Sequence, residues 1–364
     1  MNDLQIAEKE SSMSAKQKTI KCVVWDLDNT LWQGVLLEDT AVFLRDKVVQ
    51  TIKILDARGI LHSIASKNNQ ETAVAKLTEL GLADYFLYPQ INWNPKSASI
   101  KTIANALNIG LDTFAFVDDN IFEREEVTHE LPQVLCLDAG DADIENMLDM
   151  PRLKPPFITP ESALRRRMYQ SERQRIAAEA TFTGQNEAFL ATLKMTLHIH
   201  HAQEEDLQRA EELTKRTNQL NTTGYTYSYA ELNALRQSDN HLLLVSSLDD
   251  KYGTYGTIGL ALVTLGETVW TVKLLLMSCR VMSRGVGTIM LNYILARAKE
   301  AGVTLQAEFV ENGRNRMMYV TYKFAGFCEL QTRGNTTILE NDLSLIQEPP
   351  EYVTVIYPEE EKQG

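Results

Sequence analysis

Val23-Val24-Trp25-Asp26-Leu27-Asp28-Asn29-Thr30-Leu31-Trp32 is the stretch whose reading decides the fold of the first half of the chain. Cys22 to Trp25 is an apolar, β-branched run, the composition of a strand buried on both faces. It stops at two carboxylates with one residue between them. Ligands of an open α/β sheet bind at the carboxyl ends of the strands, which is where Asp26 and Asp28 fall. Two such carboxylates do not both ionise cheaply unless a cation neutralises them or one holds a proton. The pair therefore suits an attacking carboxylate, a neighbouring proton donor and a hard, oxygen-liganded metal such as Mg²⁺. The same ten residues also read as a strand followed by an Asp-Asn turn.

Length and composition narrow the field. The 364 residues leave room for two domains, or three. A hydrophobic content of 44% with 23% charged residues is that of globular protein with ample core material. No apolar run is long enough to span a bilayer, and Met1-Asn2-Asp3 does not open a signal pattern, so a cytoplasmic protein without a membrane partner is expected. Cys22, Cys136, Cys279 and Cys328 lack CxxC spacing, which points to neither a disulfide framework nor a zinc site. A formal net charge of −13 argues against a nucleic-acid partner.

Strand and helix signals alternate after a polar tail over 1–19. A predicted helix over 46–58 ends at Gly59, and a strand over 60–65 runs into the turn-like Ser66-Lys67-Asn68-Asn69. A helix over 71–80 follows. Asn92-Trp93-Asn94-Pro95-Lys96 hands over to a helix at 97–107, and a buried strand at 113–117 ends at Asp118-Asp119-Asn120. This alternation predicts an α/β fold with a parallel sheet and right-handed crossovers. Asp26/Asp28, Ser66, Lys96 and Asp118/Asp119 each sit past a strand or in a strand–helix loop, and those ends converge on one crevice. A phosphate there would meet a hydroxyl, an ammonium and a metal held by the acids. Singly, Ser66 reads as a helix cap, Lys96 as a surface charge and Asp118-Asp119 as a turn. Four in this order are hard to dismiss.

The order resembles the haloacid dehalogenase-like (HAD) superfamily of phosphatases. Asp26-Leu27-Asp28-Asn29-Thr30 matches its first motif, DxDxT; Ser66 matches the second, Lys96 the third and Asp118-Asp119 the fourth. The resemblance implies a Rossmannoid sheet in which Asp26 attacks phosphorus to give an aspartyl-phosphate. Asp28 would protonate the leaving oxygen and later activate water, and Thr30, Ser66 and Lys96 would bind the phosphate. Mg²⁺ would be held by Asp26, Asp28 (through its backbone carbonyl) and Asp118/Asp119. One predicted helix lies between Thr30 and Ser66, so no large cap domain fits there.

The second half begins beyond an acidic, then proline-containing stretch at 138–156. A charged helix at 161–180 carries Arg165-Arg166-Arg167, either a solvated face or a basic docking face. His198, His200 and His201 lack the carboxylate or cysteine spacing of a metal site. An amphipathic helix over 204–216 leads into Thr217-Asn218-Gln219-Leu220-Asn221-Thr222-Thr223, a turn or a hydrogen-bonding surface. Strands at 241–247, 257–264 and 268–277 precede Ser278-Cys279-Arg280-Val281-Met282-Ser283-Arg284-Gly285-Val286-Gly287, which opens a strong helix at 288–301. Arg284-Gly285-Val286-Gly287 reads as a pyrophosphate or phosphopantetheine cradle, or as a tight turn. Cys279, beside Arg280 and Arg284, reads as a nucleophilic thiol or as a small residue ending a strand. A strand at 304–309, a helix at 314–322 and a last strand from 326 complete the pattern. The strand order, with Asn315, Met318-Tyr319 and Gly326-Phe327, resembles the GNAT acyltransferase fold; that family's pattern has a basic or amide residue where Met282 stands.

Lys21 to Trp32, Val117-Asp118-Asp119-Asn120 followed by Phe122-Glu123-Arg124-Glu125, Leu213 with Arg216-Thr217-Asn218-Gln219, and Ser278-Cys279-Arg280-Val281 together resemble the FkbH-like family. Its members join a HAD phosphatase domain to a GNAT-like domain. The resemblance covers nearly all of 20–330 and departs at Ile121, where proline is frequent. It implies glyceryl transfer: a three-carbon unit from 1,3-bisphosphoglycerate is dephosphorylated and loaded, through a cysteine thioester for which Cys279 is the candidate and Cys22 the alternative, onto the phosphopantetheine arm of an acyl carrier protein for polyketide or tetronate assembly. Arg280, Arg284, Gly285 and Gly287 would hold phosphate in the second domain. The expected division is a loose tail over 1–19, a HAD-like domain over 20–150, a linker helix over 151–185, a GNAT-like domain over 186–347 and an acidic tail over 348–364. The alternative is an Mg²⁺-dependent HAD phosphatase whose second domain is structural or docks a carrier protein.

Overall fold

The computed structural model describes residues 18–155, 157–282 and 284–358. The tail expected over 1–19 therefore lies, except for Lys18 and Thr19, outside the described residues, as does 359–364 of the expected acidic tail. The chain divides into two units between Gln170 and Ser171.

The first unit runs β1 (Cys22–Trp25), a small antiparallel pair β2 (Trp32–Gln33) and β3 (Phe43–Leu44), α1 (Asp46–Ala57), β4 (Leu61–Ser66), α2 (Gln70–Glu79), β5 (Gln90–Ile91), α3 (Lys96–Leu107), β6 (Phe114–Asp118), α4 (Ile121–Glu130), β7 (Leu135–Asp138) and α5 (Asp141–Met147). Its five-stranded sheet has the order β5-β4-β1-β6-β7 with every pair parallel. β1 lies in the middle and is buried at all four residues because both faces are covered. Val23 and Trp25 pack with Val48, Ile52 and Leu55 of α1. Cys22 and Val24 pack with Ile100, Ile103 and Leu107 of α3 and Val127 of α4. A strand buried on both sides has no polar alternation, hence the continuous apolar run. Asn69 and Asn120 accept from Thr72 N and Phe122 N and so cap α2 and α4 just past the strand ends.

The division between the units falls within α6 (Pro160–Thr181). Its basic run is engaged in the first unit. Arg166 grips the Asp56 carboxylate through Nε and Nη2 at 2.9 and 3.2 Å and lies 4.5 Å over the Tyr85 ring, while Arg165 Nη1 donates to Gly59 O at 2.7 Å.

The second unit continues with α7 (Asn186–Leu193), β8 (Met195–His201), α8 (Leu207–Arg216), α9 (Tyr229–Arg236), β9 (His241–Asp250), β10 (Gly253–Leu265), β11 (Val269–Met277), α10 (Val286–Glu300), β12 (Thr304–Val310), α11 (Arg316–Phe324), β13 (Cys328–Arg333), β14 (Thr336–Asn341) and β15 (Val353–Ile356). One mixed sheet, β13-β14-β12-β11-β10-β9-β8-β15, holds every strand; only β11–β12 and β15–β8 are parallel. One face packs against Phe189 and Leu190 of α7, Ile289 and Ile294 of α10 and Tyr322 of α11; the other packs against Leu207 and Leu213 of α8 and Leu232 of α9.

Two expectations need correcting. The last strand is a hairpin, β13 and β14, turning at Gly334 with φ +62°. The stretch assigned to an acidic tail contributes β15, whose Val353-Thr354-Val355 run pairs with Met195–Leu197 at the sheet edge. There β propensity outweighs the flanking glutamates. His198 and His200 share the half-exposed face of β8, alternating with the core residues Leu197 and Ile199. No helix among the described residues is long and apolar enough to cross a membrane.

Candidate active site

The parallel ladder carries Asp26 to the carboxyl edge of the sheet: Asp26 N donates to Val117 O at 2.9 Å, continuing the β1–β6 pairing by one residue. Asp118, the last residue of β6, emerges beside it. Lys96, the first residue of α3, sends Nζ to Asp26 Oδ1 and to Ala65 O (2.8 Å), and lies 3.0 Å from Asp118 Oδ2. Asp26, Lys96 and Asp118 are all buried, and the Ser66 hydroxyl also bonds the Asp26 carboxylate. Pro95 offers no side-chain cap to α3. The cap comes from the neighbouring helix instead: the Glu126 carboxylate of α4 accepts from Ser97 N at 3.1 Å and from Ser97 Oγ. Lys96 is thus fixed at a helix start by a residue thirty positions downstream, on a neighbouring helix.

Asp119 completes the cluster. Among the described residues, Asp26, Asp118 and Asp119 are the one group of His, Cys, Asp and Glu that could hold a metal, with carboxylate oxygens all within 4.8 Å of one another. Thr30 is fully buried and hooks this loop both ways, donating to Asp119 Oδ1 at 3.3 Å and accepting from Asp119 N at 3.1 Å. One ammonium faces three carboxylates. Burial, and then the Asp26 charge, push Asp118 up to about 7. Burial also raises Asp26, against the pull of Lys96. Burial disfavours the Lys96 ammonium, but the Asp26 and Asp118 carboxylates outweigh it and hold its pKa above the ordinary lysine value. This excess negative charge, the all-oxygen donor set and the buried Asp118 Oδ2, which has no aligned hydrogen bond, fit a hard divalent cation such as Mg²⁺.

The Asp28 carboxylate has donors of its own. Its Oδ1 accepts from Trp32 Nε1 (2.8 Å) and Leu36 N (3.0 Å), and its Oδ2 from Asn68 Nδ2 (3.0 Å). It stands outside the three-carboxylate group, leaving only its backbone carbonyl as the metal ligand the resemblance implies. Beside the cluster opens a cavity of about 570 Å³, lined by polar residues that include Asn29, Gln33, Arg45, Lys47 and Asp119.

A family model, haloacid dehalogenase-like hydrolase, matches residues 33–123. The first unit is a HAD-like hydrolase domain. Among solved structures, the N-terminal part of BF1531 from Bacteroides fragilis, which contains a phosphatase domain and is complexed with Mg, is 31% identical over 40% of this chain and 43% of that chain, with a TM-score of 0.33. The chain thus spans less than half of that relative. PaiA N-acetyltransferase from Thermoplasma acidophilum, in complex with coenzyme A, is 17% identical over 40% of this chain and 98% of its own, with a TM-score of 0.33. A GNAT-family acetyltransferase from Streptococcus pneumoniae is 19% identical over 40% and 98%, again with a TM-score of 0.33. No curated protein gave a significant match. The fold class is α/β throughout: a HAD-like parallel sheet in the first unit and a mixed sheet in the second.

In the second unit Cys279 opens a short 3-10 turn, Cys279–Val281, directly after β11, and is exposed. Cys22, by contrast, is fully buried in β1, and burial pushes its thiol far up. Arg280 Nε donates to Ser278 Oγ at 3.3 Å. Arg284 is buried, 5.9 Å over the Phe189 ring and 3.6 Å from Glu179, and its Nε and Nη1 have no hydrogen-bond partner among the described residues. Gly285 takes φ +75° at the start of α10.

The amide-rich run has an unexpected place. β11 pairs with β12 only over Val269–Val272 and Thr304–Ala307. Beyond that the strands part, and Leu220–Thr222 fills the gap: Met277 N donates to Leu220 O (2.9 Å), Thr222 N to Leu275 O (3.1 Å) and Val310 N to Thr222 O (3.0 Å). Asn315 Nδ2 clamps the wedge, donating to Asn221 O at 3.0 Å and Val310 O at 2.8 Å. Asn218 and Gln219 stay exposed. Sequence reasoning missed Glu126, Asn68, Arg45 and Asn315 as supports. Asn68, in the polar run after β4, gave a local signal, and Asn315 was named only as part of the GNAT-like pattern.

Proposed function

We propose that the chain is an aspartate-nucleophile phosphatase coupled to glyceryl transfer, acting on 1,3-bisphosphoglycerate and an acyl carrier protein. The observation that carries the phosphatase half is the buried Asp26 at the sheet edge, with the Lys96 ammonium and the Asp118/Asp119 carboxylates around it. An Asp26 oxygen attacks phosphorus, the bond to the leaving oxygen breaks, and Asp28 supplies the proton. Asp28 then takes a proton from the water that hydrolyses the aspartyl-phosphate. Lys96 offsets negative charge at the phosphoryl group. Bound between Asp26, Asp118 and Asp119, Mg²⁺ would neutralise the carboxylates and the transferring phosphate.

The transfer half is supported by the FkbH-like resemblance, the GNAT-like sheet and the exposure of Cys279 where Cys22 is sealed in the core. An acyl phosphate is already activated. The Cys279 sulfur attacks its carbonyl carbon, the C–O bond to phosphate breaks, and inorganic phosphate leaves without ATP. The acyl group then passes to the carrier's phosphopantetheine thiol. The remaining phosphate is an ester, inert to a thiol, and falls to Asp26.

The test is to incubate the protein with 1,3-bisphosphoglycerate, Mg²⁺ and a holo carrier protein, then weigh both proteins intact. The carrier should gain a glyceryl unit. Cys279→Ala should stop loading and spare ester hydrolysis. Phosphate release with no adduct on either protein would leave a phosphatase with a structural second unit.

A further inference from the structure

Arg45 stands at the end of β3, half-buried in the wall of the 570 Å³ cavity, and no sequence motif singles it out. Its guanidinium reaches two loops at once. Nη1 donates to Asn29 O at 2.9 Å and to Thr30 O at 3.1 Å, in the loop that carries Asp26 and Asp28. Nη2 donates to Ala139 O at 2.6 Å, in the loop after β7. Ala139 N in turn donates to Asp118 O at 3.2 Å, and Thr30 Oγ1 is bonded to Asp119 from the other side. The contacts close a ring: Arg45, Thr30, Asp119, Asp118, Ala139, Arg45. Every member but Arg45 is the last residue of a strand or lies in the loop that follows one at the carboxyl edge of the sheet.

We infer that Arg45 is a positioning residue for the phosphatase reaction, holding the nucleophile loop and the Asp118-Asp119 loop in mutual register. Two features of the chemistry point this way. The strand ends alone do not tie the two loops to each other, because backbone pairing ends with the Asp26 N bond to Val117 O on one side and the Ala139 N bond to Asp118 O on the other. Asn29 also sits at φ +52°, a left-handed turn that asparagine tolerates, and the carbonyls of Asn29 and Thr30 there converge on one guanidinium. A planar guanidinium with a fixed fork of donors can span three carbonyls on two loops; a lysine ammonium is a compact charge that satisfies one side. A misplacement of about 1 Å in reacting groups lowers rate far more than binding.

The inference rests on the phosphatase reading for its kinetic arm, so the experiment has a second arm that does not. Wild type, Arg45→Ala and Arg45→Lys are compared for Mg²⁺-supported hydrolysis of p-nitrophenyl phosphate and for amide hydrogen exchange. Arg45→Ala should lose roughly tenfold or more in kcat with KM changed by less than about threefold. Millimolar guanidinium should restore part of the kcat of Arg45→Ala and none of that of Arg45→Lys. Exchange should quicken at Asp119 and Ala139 in both variants while β1, β4 and β6 stay protected. Wild-type kcat in Arg45→Ala overturns the inference. So does faster exchange throughout the sheet, or failure of both variants to fold, since Arg45 would then be a general structural residue. If wild type hydrolyses no ester, the phosphatase reading fails, and the exchange arm alone decides whether Arg45 holds the two loops.

Discussion

Asp26, Lys96 and Asp118 show how much a single residue's chemistry betrays in sequence. Each is a charged residue abutting an apolar strand or opening a helix, where burial costs several kcal/mol unless partners exist. The partners are one another. His62 is a buried polar residue of the opposite kind. It accepts a hydrogen bond from Trp25 Nε1 at 3.0 Å inside β4, and burial pushes its pKa down to about 3. The folded chain therefore keeps His62 neutral where the unfolded chain, titrating near 6.5, takes up a proton. That stability is fully present above about pH 6.5 and is lost as pH falls toward 3, at up to about 1.4 kcal/mol per unit. His62→Asn retains an acceptor for Trp25 and removes the titration. Urea unfolding at pH 6.5 and pH 4.5 should show a smaller acid loss in the variant than in wild type, by about 2 kcal/mol or somewhat more. Equal losses would show that His62 is protonated in the folded state.

Elements were legible wherever hydrophobic pattern and breakers agreed. Of the strands that meet at the HAD-like site, β1 and β6 are apolar runs ended by Asp, while β4 is equally buried but carries His62 and Ser63 before ending at Ser66; their order along the chain already implied a common edge. β14 and β15 were not legible, because β14 mixes threonine, glutamate and asparagine into a short run and β15 is a four-residue edge strand, and both gain their stability from neighbours found only in the fold. The 220–223 wedge was hidden for the same reason: its hydrogen bonds run to residues far away in sequence. Asn315 is its keystone, fully buried with one amide shared among several carbonyls. Asn315→Ala should cost roughly 2–3 kcal/mol through unsatisfied buried carbonyls. It should also speed amide exchange at Val310, Thr222 and Met277 before the rest of the sheet. A loss below about 0.5 kcal/mol would mean that the wedge holds without its clamp.

At the scale of the whole molecule, the charge imbalance with a testable consequence lies in the first unit. Three carboxylates against one ammonium make the first unit a sink for a divalent cation. Mg²⁺ at a hundredfold excess over its dissociation constant should stabilise that unit by about 2.7 kcal/mol. Differential scanning calorimetry should register the shift, EDTA should abolish it, and Asp118→Asn should diminish it. The central claim, that Asp26 is a phosphoryl-accepting nucleophile, is tested most directly by Asp26→Asn. The substitution keeps shape and removes only the attacking carboxylate. Phosphate release should fall by roughly a thousandfold or more with the melting temperature held or raised, since one buried carboxylate fewer remains to be neutralised. Phosphate release near the wild-type rate from folded Asp26→Asn protein would contradict the account.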